Sequence, residues 1–103
     1  FNATCLGKWS IVLNSTSHKD WANKDNCILV EPDGEESAID GIFFKPDSPF
    51  NQGNISTFSE DSVLSAFEQA ESLYNKNNTK GEKLKQEFTY EKTTDSILKI
   101  LNI

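Results

Sequence analysis

The stretch from Phe58 to Tyr74 limits the folds open to this chain more than any other, because its pattern dictates an amphipathic helix over about residues 59–75. Val63, Ala66, Phe67, Ala70, Leu73 and Tyr74 recur at the three-and-four spacing that lines one helical face. Ser65, Glu68, Gln69, Glu71 and Ser72 fall on the other. Ser59 is a good N-cap acceptor, Glu60 and Asp61 set negative charge at the positive end of the helix dipole, and Phe58 with Val63 has the spacing of a hydrophobic staple. One apolar helical face needs a cover, so the remaining apolar runs must provide it.

Those runs read mainly as strands. Cys5, Trp9, Ile11 and Leu13 share one parity and Lys8, Ser10 and Val12 the other, which is strand alternation. A polar loop from Asn14 to Asn26 follows, with Trp21 as its only large apolar residue and one helical turn expected around Lys19 to Asn23. Cys27 to Glu31 is a short β-branched run, Pro32-Asp33-Gly34 signals a turn, and Ser37 to Lys45 is rich in Ile and Phe. Together they predict a hairpin. Pro46 to Gly53 is a loop, and Asn75 to Gly81 a polar, mobile connection. Leu84, Phe88 and Tyr90 alternate with charged residues as in an edge strand. Thr94 or Asp95 would cap a short C-terminal helix holding Ile97, Leu98, Ile100 and Leu101, with a terminal strand as the alternative because three of its residues are Ile. The expectation is one domain over residues 1–103, α+β, with a small antiparallel sheet packed on the long helix.

The chain of 103 residues is the size of one domain, with 36% hydrophobic residues to form a core. A net charge of -6 and ten scattered Lys with no Arg disfavour nucleic acid and anionic membranes as partners, because both need clustered cations. No apolar run approaches the roughly 20 residues that span a bilayer. There is no Met, so removal of a secretory signal peptide before Phe1, or release from a longer precursor, is expected. In a processed chain, Cys5 and Cys27 predict one disulfide, with an intermolecular link or buried free thiols as alternatives. The bridge would close a loop of about 23 residues and contribute roughly 3 kcal/mol by the loop-entropy model.

Asn2, Asn14, Asn54 and Asn77 each begin an N-x-[ST] sequon near an expected terminus, loop or strand end, a second indication of secretion. His18 stands among Ser15, Ser17 and Asp20, but a catalytic triad is a spatial constellation with an oxyanion hole, and sequence neighbours on a polar loop have no reason to form one. Glu31, Asp33, Glu35 and Glu36 lack the spacing of an EF-hand loop and read as a solvated hairpin turn. One His and two distant Cys do not make a zinc site. No glycine pattern forms a phosphate loop. Gly7-Lys8-Trp9 is similar to the G-x-W that opens lipocalins. That resemblance implies an eight-stranded barrel, whereas this chain offers about four strands and a central helix, and Trp9 reads as a core residue.

With neither a catalytic group nor a cofactor or metal site expected, the first reading is a secreted, non-enzymatic recognition or effector protein. Such a toxin chain, virulence factor or signalling chain would bind a protein or cell-surface receptor. A second chain of the same precursor is the other partner considered. Trp21 and Phe50 are the aromatic contact candidates. The alternative is a carrier of a small apolar ligand in a pocket lined by Phe43, Phe44, Phe67 and Tyr74.

Overall fold

Ser59 starts the long helix as its chemistry predicts. In the computed structural model, which describes residues Phe1–Ile103, its hydroxyl accepts the Ser62 N–H at 3.2 Å and opens α2 (Glu60–Ser72). The other elements are α1 (Asn2–Cys5), β1 (Ile11–Leu13), a 3-10 turn (Thr16–Asp20), β2 (Ile28–Val30), β3 (Gly34–Ser37), β4 (Asn54–Thr57), α3 (Thr79–Glu82), α4 (Leu84–Glu87) and α5 (Tyr90–Ile100). The class is α+β, as expected. No helix is long and apolar enough to cross a membrane.

The strand pairing differs from the expected hairpin. β1 and β2 pair in parallel, Ile11 against Ile28 and Leu13 against Val30, and this pair packs on α2. Ile28, Val30 and Ala66 form the buried centre, ringed by Trp9, Ile11, Leu13, Val63, Ala70 and Leu73. β3 and β4 form a separate antiparallel pair with Gly34 opposite Thr57 and Ser37 opposite Asn54. The apolar run beyond Ser37 is therefore a loop joining β3 to β4 and not a strand. Leu84 to Tyr90 is not a strand either. Leu84 and Phe88 are four residues apart, which suits one helical face, and the Lys, Gln and Glu between them are good helix formers. α5 forms as expected but starts earlier, capped by the Thr89 hydroxyl on the Lys92 N–H.

Cys5 and Cys27 are buried free thiols, so the expected bridge is not formed. The first strand begins after Cys5, which sits in the helical turn α1. That turn sets the Thr4 hydroxyl against the Cys27 sulfur at 3.9 Å, and neighbouring helical side chains diverge by about 100°.

A second buried centre is polar. Asn78 is fully buried; its Nδ2 donates to the carbonyls of Asn26 at 2.7 Å and Lys8 at 3.0 Å, and its Oδ1 accepts the Gly81 N–H at 2.8 Å. Its own N–H donates to Gly7 O at 2.9 Å. One side chain thus ties α3 to the segment before β1 and to the segment before β2. Gly81 is required here, because a Cβ would lie 2.5 Å from Thr4 O and 2.6 Å from Asn78 Nδ2. The segment expected to be a mobile connection supplies this clamp.

The whole is flat, 48 × 46 × 20 Å, with a radius of gyration of 17.5 Å. A compact chain of this length would have about 13 Å.

Candidate partner-binding site

β3, β4 and the loop between them, residues 38–53, make an arm that packs chiefly on itself and little on the body. Asp40 organises its tip. Its carboxylate accepts the N–H groups of Ile42 at 2.8 Å and of Phe43 and Phe44 at 2.9 Å each. The Asp40 N–H donates back to Phe44 O at 2.9 Å, and Gly41 takes the φ of +78° that the turn requires. The amides of Phe44 and Ile42, with that of Phe43, hold the Asp40 carboxyl below its usual range. Backbone donors held by a carboxylate are withdrawn from strand pairing, which is why an Ile- and Phe-rich run forms a turn.

Further along, the Gln52 side chain copies a ladder rung across the loop. Its Nε2 donates to Lys45 O at 2.7 Å and its Oε1 accepts the Lys45 N–H at 3.3 Å. The result is a braced tip that turns apolar side chains outward, with Phe43 83% exposed, Ile42 70% and Phe50 70%. Phe50 also lines an open depression of about 410 Å³ with Ile39, Pro46 and Pro49. At its base the arm is joined to the body by the Ser56 and Ser15 hydroxyls, 2.6 Å apart.

Trp21 is placed differently. It is half-buried, with its ring edge-on to Phe1 at 5.2 Å and to His18 at 6.0 Å, and Phe1 in turn meets Phe88 at 5.5 Å. It packs under its loop, and it lines a different depression from Phe50. His18 is likewise engaged, its Nδ1–H donating to Leu13 O at 2.9 Å. The carrier pocket is not assembled. Phe43, Phe44 and Phe67 are exposed, while Tyr74 lines a separate groove, about 450 Å³, with Trp9, Ala70 and Leu73. Gly7-Lys8-Trp9 forms a turn with Gly7 at φ +83°, and Trp9 packs on the core beside two two-stranded sheets, not in a barrel.

Asn2, Asn54 and Asn77 are exposed and Asn14 is half-buried. The amide nitrogen that a glycan would use donates to Glu31 at Asn14, to Glu35 at Asn54 and to Glu82 at Asn77. Sequence reasoning missed the tip itself, although Asp40-Gly41 inside the apolar run is a turn dipeptide. No protein-family model, curated protein or solved structure matches the chain.

Proposed function

We propose that this chain is a non-enzymatic recognition protein that docks on a protein or a cell-surface receptor through the tip of the β3–β4 arm. The observation that carries this reading is the brace itself. Three large apolar side chains, Ile42, Phe43 and Phe50, are held in water by a loop whose backbone the Asp40 carboxylate and the Gln52 amide fix. A rigid apolar tip loses little entropy on binding, and aromatic anchors dominate interface energies. An extracellular setting is supported by the four sequons. The free thiols withdraw the support that a disulfide would have lent.

The test is binding of the labelled chain to intact cells, with the variant Ile42→Ser/Phe43→Ser/Phe50→Ser beside it. Saturable binding reduced about tenfold in the variant, with an unchanged circular dichroism melt, is the expected result, since the loss of one or two aromatic anchors is worth at least that much. Equal binding by both proteins, or no saturable binding by either, overturns the reading.

A further inference from the structure

Helix α2 is apolar over a wider arc than the body covers. Val63, Ala66, Ala70 and Leu73 face β1 and β2, whereas Leu64 and Phe67, one step around the helix, and Tyr74, in the turn just past its end, are exposed, Phe67 at 60%. Glu60 and Glu71 fall within this second stripe and Glu68 on its border, an arc of about 120° in all. No cation offsets them along the chain, since residues 46–75 hold five acids and no Lys.

The uncovered area is also large. The chain exposes 8038 Å², where a compact monomer of its mass exposes about 5,800 Å². The surplus of about 2,200 Å² exceeds the roughly 800 Å² per partner that a stable interface buries.

We propose that the outward face of α2 and of the turn that follows it, Leu64, Phe67 and Tyr74 set among Glu60, Glu68 and Glu71, is a docking face for a cationic amphipathic segment of a partner protein. The apolar side of such a segment covers the three apolar residues, and its Lys or Arg fringe meets the carboxylates. Exposed aromatic faces favour the same cations. The charge excess steers association and makes it sensitive to salt. A second copy of this chain fits poorly, because α5, its other exposed amphipathic helix, carries Glu91 and Asp95 beside its apolar stripe and Lys92 and Lys99 on the opposite side. The inference rests on the binding reading above but uses a different surface.

The probe is a synthetic amphipathic helix of Leu and Lys, with its Leu and Glu counterpart as control, added to the isotope-labelled full chain and followed residue by residue by NMR. The Lys peptide is expected to shift Leu64, Phe67, Glu68, Glu71 and Tyr74. Its affinity is expected to fall about tenfold between about 50 mM and 500 mM salt, and by a similar factor in Glu68→Lys/Glu71→Lys. The arm-tip variant should bind it unchanged, which separates failure here from failure of the tip as the receptor contact. Equal binding of both peptides, perturbation confined to other surfaces, or no binding of the Lys peptide overturns the proposal. Because Glu68 and Glu71 are exposed, the charge-reversed variant should remain folded.

Discussion

At the scale of single residues, Asn78 does more to hold the fold than any charged side chain. Two of its side-chain hydrogen bonds join segments far apart in sequence, a third caps α3 at Gly81, and the side chain itself is fully buried. Asn78→Ala would leave the Asn26 and Lys8 carbonyls and the Gly81 N–H without partners. With each unsatisfied buried group costing about 1–3 kcal/mol and water re-entering part of the space, a loss of about 3 kcal/mol is expected in urea unfolding. A loss below about 1 kcal/mol would show that the clamp is not needed. Cys27 offers a second check. Burial pushes its thiol above the ordinary 9.0, and the hydrogen bond to Thr4 only partly opposes this. A raised folded-state pKa means that this stabilisation is complete below the unfolded value and is lost as pH rises through the folded one, so the protein should weaken only in alkali. A thiol reagent at neutral pH should find two thiols per chain after unfolding without reductant, and close to none before. Zero thiols after unfolding would restore the disulfide. Neither residue was legible in advance: nothing local distinguishes buried Asn78 from exposed Asn77, because α1, Gly7 and Asn26 decide which of the two is enclosed.

Among the elements, α2 was legible because its determinants are local: the cap at Ser59, the acids of the first turn and the three-and-four spacing all lie within it. Ser59→Ala should cost about 1 kcal/mol in thermal or urea unfolding, the usual worth of an N-cap side chain. Only part of its apolar face found a partner, and spacing alone does not reveal where cover stops. β1 and β2 were legible as apolar runs but not in their pairing, which is a long-range choice, and β3 and β4, polar and largely exposed, carry no strand pattern of their own. The run from Ala38 to Lys45 shows the competition. Its Ile and Phe favour a strand, yet Asp40 gathers three backbone donors and the tip folds on itself. That capture requires the carboxylate. With its folded pKa lowered, the contribution is present above the ordinary Asp value near 4 and is lost as pH falls through the lowered one. Hydrogen exchange at Ile42, Phe43 and Phe44 should therefore stay protected down to about pH 4 and speed up, after correction for intrinsic rates, only in stronger acid. Asp40→Ala should remove the protection at every pH, and retained protection in that variant would mean that the loop is held by something else.

For the whole molecule, the pattern of runs predicts an α+β chain and composition predicts enough apolar residues for a core, and the α+β class is what forms. Composition does not say how much of that apolar material is enclosed. Only 13 of 103 residues are buried, because the β3–β4 arm and α5 extend from the body and each two-stranded sheet has few neighbours to cover it. A fold spread this thinly has a measurable consequence. Unfolding exposes the difference between the extended chain, about 17,000 Å² for this mass, and the folded surface. The folded chain already shows about 2,200 Å² more than a compact one, so unfolding uncovers about a fifth less new surface. The urea m-value follows that area and should be about 20% below that of a compact domain of equal length. Adding a partner that covers the arm tip or the outer face of α2 should raise both m and the midpoint, since the covered surface then joins the cooperative unit and binding stabilises the folded state by mass action. A low m that rises with the partner would tie the thin fold to binding, whereas a compact-domain m for the free chain would mean that in solution the arm and α5 close onto the body.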